Sequence, residues 1–136
     1  MEVKVSHLGQ VRFNIRSRSH SILCDQPTDN GGEDTAMTPP ELMLASLGSC
    51  AAFYAVQFLK TRNLADDGVE VSVTAEKLKS PGRLGNFKIH VEYPVELNQE
   101  HTEGLMRSVK HCLIHNTLLA PPQIDIELAV KEPAAV

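Results

Sequence analysis

TPPELMLASLGSCAAFYAVQFL, residues Thr38 to Leu59, reads as one helix with a cysteine at its middle. Thr38 is a natural N-cap, Pro39 suits the first helical position, and Glu41 completes a Thr-x-x-Glu capping box. Leu42, Leu44, Leu47, Phe53, Val56, Phe58 and Leu59 do not fall on one narrow stripe. A helix that is apolar on nearly every side is buried on nearly every side. One curved sheet cannot cover it alone, so the pattern predicts a homodimer that packs its central helices together. Glu41, Gly48 and Gln57, with no second apolar span in the chain, favour a core helix over a membrane span. Cys50 lies among Gly48, Ser49, Ala51 and Ala52, where another backbone can approach closely.

Outward from that helix, polar–apolar alternation marks strands on both sides. Val3 and Val5, then Val11, Phe13 and Ile15, then Ile22 and Leu23 predict two or three antiparallel strands in a meander. Asp25 to Met37, DQPTDNGGEDTAM, is rich in turn-formers and predicts a polar loop. After the helix, a turn at Asp66-Asp67-Gly68 leads to strands over 69–77 and 87–93, with a hairpin loop at Ser80 to Asn86. Asn98 caps a second helix predicted from Gln99 to Cys112, which places Cys112 at its end before a compact turn, LIHNTLL. Ile124, Ile126, Leu128 and Val130 alternate as a last strand, and KEPAAV reads as a frayed tail. The order strands, helix, strands, helix, strand gives an α+β domain over residues 1–136, an antiparallel sheet wrapped on a long central helix and a second helix.

Composition narrows the function classes. With 136 residues the chain is long enough for a hydrophobic core without disulfide staples. A net charge of -4, no Trp and 4% aromatics leave neither the basic footprint nor the stacking platform of a nucleic-acid partner. MEVKVSHLGQV alternates rather than showing a charged start and an apolar run, so the expected compartment is the cytoplasm. There, paired thiols are more often catalytic or metal-binding than structural.

Cys50 and Cys112 each sit on a helix expected to face the core. Two thiols brought together can run a redox cycle, one attacking as thiolate and the other condensing with its sulfenic acid to a disulfide. The competing reading is a pair of buried, inert cysteines. Gly48-Ser49 is expected to loosen the helix, so that Cys50 stands near the start of a fresh helical segment whose N–H groups favour the anion. Glu41 lies nine residues before Cys50, about 13 Å along an unbroken helix and on its opposite face. His111, Cys112 and His115 spell H-C-x-x-H, but a structural zinc wants four ligands and no second cluster appears. His115 and Asn116 are instead expected to cap the helix end. Cys24 ends a strand with no obvious partner, and Arg16 and Arg18 are strand-end cations, either able to hold a thiolate or an oxygen anion.

An Asp–Gly-Gly loop, then TPPELMLASLGSC, then CLIHNTLL after a second helix, resembles the OsmC/Ohr family: osmotically induced protein C, organic hydroperoxide resistance proteins and the broader OsmC-like group. The likeness runs over nearly the whole chain. Where the best-studied members carry a Glu ten residues before the cysteine, Pro40 stands here and Glu41 follows, a pattern closer to the OsmC-like branch. The resemblance implies an intertwined homodimer with active sites at its interface. It implies Cys50 as the peroxidatic thiol, Cys112 as the resolving thiol, and an Arg from the N-terminal strands beside them. Glu41 is a supporting candidate that orients the Arg, and the leucines, Met43 and Phe53 furnish an apolar pocket. The implied activity is cofactor-free and metal-free reduction of an organic hydroperoxide, with recycling by a dithiol, and without nucleic acid or membrane. The alternative is a redox-sensing or small-molecule-binding dimer of the same fold whose thiols do not turn over.

Overall fold

A computed structural model describes residues 1–133; the last three residues of the tail read as frayed lie outside the described residues. The alternating N-terminal segment forms three strands, β1 (Lys4–Gly9), β2 (Arg12–Ser17) and β3 (His20–Cys24), in an antiparallel meander. Ile15 stands opposite Val5 and Ile22, and Phe13 opposite Cys24. After the polar loop comes the long helix α1 (Pro39–Thr61), followed by the hairpin β4 (Glu70–Leu78) and β5 (Arg83–Glu92). In that hairpin Val71 pairs with Val91 and Val73 with Ile89. Two helices finish the ordered chain, α2 (Gln99–Lys110) and α3 (Leu113–Leu119). The fold is α+β, with two small antiparallel sheets and three helices.

The capping box at the start of α1 is complete. The Glu41 N–H donates to Thr38 Oγ1 at 3.4 Å, and the Thr38 N–H donates to Glu41 Oε1 at 3.0 Å. Leu47, Ala51, Ala55, Phe58 and Leu59 recur every third or fourth position, so they form one buried stripe. Onto its C-terminal half packs α2, where Leu105 joins Ala55, Phe58 and Leu59 in the core, with Val91 and Val109 at its edge. The Ser108 hydroxyl donates to the Tyr54 carbonyl at 3.2 Å and pins α2 alongside. Gly48 admits β4: a Cβ there would come within 3.1 Å of Val73 Cγ2. By length and hydropathy α1 could cross a membrane, but here it is the spine on which β4, α2 and α3 pack.

Four expectations need correction. First, α1 is not buried all round within one chain: Met43 is exposed near its start, and Phe53, on the side away from the stripe, is 57% exposed. Second, Gly48-Ser49 does not interrupt α1, which runs unbroken through Cys50. The small residue serves the approach of β4 rather than a bend. Third, LIHNTLL is a helix of its own, and α2 stops at Lys110 with His111 as its C-cap, donating to the Ser108 carbonyl at 3.1 Å. His115 and Asn116 therefore lie inside α3 and do not cap α2. Fourth, Ile124 to Val130 forms no strand. Leu128 and Val130 are 95% and 96% exposed, and the segment pairs with neither sheet of the same chain. Smaller differences are that β1 runs on to Gly9 and that β5 starts at Arg83, inside the segment read as a hairpin loop.

The Asp25–Met37 loop is organised by a carboxylate. Asp25, 1% exposed, accepts N–H bonds from Gln26 (2.8 Å), Thr35 (3.0 Å) and Glu33 (3.3 Å), and the Thr35 hydroxyl at 2.6 Å. Hydrogen bonds from the Thr35 hydroxyl and amide, then from the Gln26 amide, lower its pKa from 3.8 to about 2.

Candidate active site

Cys50 sits at mid-length on α1, partly exposed, and opposite it the chain passes from α2 to α3. That junction is built around Cys112. Its N–H closes the last turn of α2 on the Val109 carbonyl at 3.2 Å, and its backbone then leaves the helical region at φ -53°, ψ 126°. Cys112 thus becomes the N-cap of α3, and the first N–H groups of that helix have no carbonyl of their own to meet. The His115 N–H donates to Cys112 Sγ at 3.4 Å. Those of Ile114 and Leu113 point at Cys50.

The Cys112 side chain completes this nest, with its S–H directed to the Cys50 sulfur. The two thiols, 62 positions apart in sequence, are neighbours and both reduced. Burial by itself pushes the Cys50 thiol up. Donation from the Cys112 thiol and from the Ile114 and Leu113 amides outweighs it, so Cys50 lies below the ordinary thiol value. Cys112, wholly buried, moves the other way. Burial raises it, its role as donor to Cys50 raises it further, and the His115 and Ile114 amides offset only part. The start of a fresh helix does address Cys50, but it is α3, not a break in α1.

An apolar hollow of about 670 Å³ opens between α1, β5 and α3, lined by Met43, Leu47, Leu84, Phe87, Leu118 and Leu119 among others. Met43, Leu47 and Cys50 fall at i, i+4 and i+7 on one face of α1, so the hollow runs along the face that carries the thiol. Met43 is where the pocket reading put it; exposed Phe53 stacks edge-on against Tyr54 and does not line the hollow. Arg83 and His115 are the polar side chains in this wall.

The remaining candidates lie elsewhere in the chain. Glu41 is held by the Thr38 amide and hydroxyl, which lower its pKa, and it faces a different hollow with Leu44, Ser49 and Val71. Arg16 and Arg18 flank Glu2 and Lys4 on the N-terminal sheet. Cys24 is buried and free at the end of β3. Among the described residues no three His, Cys, Asp or Glu side chains are grouped to hold a metal. Asp25 and Arg83 were not singled out by sequence reasoning, and His115 entered it only as a zinc-ligand candidate and a helix cap. For His115 the signal was present, since Cys-x-x-His spacing is that of a cap residue and the N–H three positions on.

A family model for OsmC-like protein matches residues 31–127, which contain the second half of the loop, α1, both hairpin strands, α2 and α3. The chain belongs to the OsmC-like family. No curated protein matches it by sequence. Among solved structures, it is similar to a protein from Psychrobacter arcticus described as an osmotic stress induced and detoxification response protein. That likeness has TM-score 0.77 and 22% identity, over 85% of each chain. An OsmC-like protein from Mycoplasma pneumoniae aligns with TM-score 0.72 and 18% identity, over 89% of each chain. The organic hydroperoxide resistance protein OhrB of Bacillus subtilis aligns with TM-score 0.54 and 22% identity, over 89% of this chain and 93% of that one. These likenesses establish the OsmC-like fold.

Proposed function

We propose that this OsmC-like protein is a thiol peroxidase for organic hydroperoxides, acting as a homodimer in a reducing, cytoplasmic compartment. The observation that carries the reading is the Cys50–Cys112 pair, two free neighbouring thiols shifted in opposite directions. A nucleophile needs to be the better thiolate, and a resolving thiol must wait protonated until the sulfenic acid exists. The Cys50 thiolate attacks the terminal oxygen of R–O–O–H. An S–O bond forms, the O–O bond breaks, and the alcohol leaves with a proton, giving the Cys50 sulfenic acid. The Cys112 thiol then displaces that oxygen as water and closes the disulfide. A dithiol attacks at Cys50, the more accessible sulfur, and resets the pair. The leucine-rich hollow along the same face of α1 supports an organic rather than a fully polar peroxide.

The dimer rests on surface the single chain leaves bare: the apolar residues of β1 and β3, Phe53, and the alternating tail from Ile124 to Val130. Glu41 faces a different hollow and Arg16 and Arg18 lie on the N-terminal sheet, so we assign any part they take in the site to the dimer. A thiol count before and after one equivalent of cumene hydroperoxide tests the chemistry. The expected result is rapid loss of two thiols, with a Cys50–Cys112 disulfide by peptide mapping. Three intact thiols would move the assignment to a ligand-binding dimer without turnover.

A further inference from the structure

His115 has no role in the scheme above, yet its placement is unusual for a histidine on an apolar wall. It lines both the leucine-rich hollow along α1 and a second one of about 370 Å³ between β5 and α2. Its Nδ1 is sealed from solvent and has no hydrogen-bond partner among the described residues. A buried ring nitrogen left unpaired costs free energy that a leucine of similar size would avoid. Packing therefore gives no reason for a histidine here. The backbone that carries the ring is anchored beside the chemistry: the His115 N–H is bonded to Cys112 Sγ, and the amides of the two preceding residues face Cys50.

We propose that the His115 imidazole is the catalytic acid of peroxide reduction, the proton donor to the oxygen that leaves. This rests on the peroxidase reading. When the Cys50 thiolate takes the terminal oxygen, the other oxygen departs with the electron pair of the O–O bond. An alkoxide is a poor leaving group, and an acid set in the wall of the hollow assists its departure. The protonated imidazole passes its proton to that oxygen and releases ROH, then recovers a proton from bulk water. Sulfur is oxidised, the peroxide is reduced, and the sulfenic acid keeps the hydrogen of the original O–OH.

An acid that assists departure matters in proportion to how badly the group leaves, which separates this role from a structural one. The test is the rate of Cys50 oxidation by tert-butyl hydroperoxide, whose leaving group is an alkoxide, and by peracetic acid, whose leaving group is a carboxylate. Wild type, His115→Asn and His115→Leu are compared, with circular dichroism as the folding control. Both variants are expected to slow with tert-butyl hydroperoxide by roughly a hundredfold, while peracetic acid rates stay within about twofold. Equal losses with both oxidants, or none with either, would overturn the assignment of His115 while leaving the thiol peroxidase intact. Failure of wild-type Cys50 to react with either oxidant would overturn both.

Discussion

At the scale of single residues, the decisive feature is a pair of neighbouring thiols shifted in opposite directions. Cys50 is poised because Cys112 donates to it, and Cys112 is held protonated because burial and that same donation favour its neutral form. Replacing Cys112 by Ala removes the donor without supplying a hydroxyl in its place. The pH profile of Cys50 alkylation by iodoacetamide should then move to higher pH, since burial still raises Cys50 and only the Ile114 and Leu113 amides oppose it. An unmoved profile would mean that the amides alone set the thiolate. Asp25 gives a second residue-scale test, with a definite sign. Its pKa is lower in the folded chain, about 2 against 3.8, so its contribution is present above pH 3.8 and is lost as pH falls toward 2. Asp25→Asn should therefore melt lower than wild type at pH 7, with the gap closing between pH 4 and pH 2. A gap that persists at pH 2 would show that the loss comes from geometry rather than charge.

Elements were legible where their signals are local. The start of α1 is written in four consecutive residues, Thr38 to Glu41, and the strands of both hairpins in simple alternation, so they could be read without knowing what they touch. Thr38→Ala should cost about 1 kcal/mol in chemical denaturation, the usual value of a lost N-cap. Leu47, 1% exposed at the heart of the stripe, should cost about 2–5 kcal/mol as Leu47→Ala, because transfer and cavity terms add there. A Leu47→Ala loss under 1 kcal/mol would mean that β5 and α3 close over the gap. What escaped reading were features decided by tertiary contacts. Gly48 looked like a hinge because its partner, Val73, lies 25 positions away. α3 is only seven residues long, too short for a helical period to show, and so its N–H groups could not be foreseen as the anchor of Cys50. The resemblance to the OsmC/Ohr family pointed to the two cysteines as a pair; their adjacency is a property of the α2–α3 junction.

For the whole molecule, the question is what covers the surface that one chain leaves open. The Ile124–Val130 alternation is a strand signal, yet in a single chain the segment pairs with neither sheet and its apolar side chains stay bare. β1 has every residue exposed, and β3 all but Cys24, so the N-terminal sheet has apolar side chains facing outward and unpaired edges. Two arms in that condition on one chain of 14.9 kDa would aggregate unless each met a complementary surface, and a second copy would supply both in one closed arrangement. Sedimentation equilibrium should accordingly give twice the chain mass at micromolar concentration. Ile126→Asp combined with Leu128→Asp places charges on the face of the tail meant for burial, and should weaken the dimer by at least tenfold in Kd. If the dimer supplies an N-terminal guanidinium to Cys50, the same variant should slow cumene hydroperoxide reduction in parallel with dissociation. A fully active monomer would separate the chemistry from the assembly and leave Cys50, Cys112 and the α3 amides as a self-sufficient site.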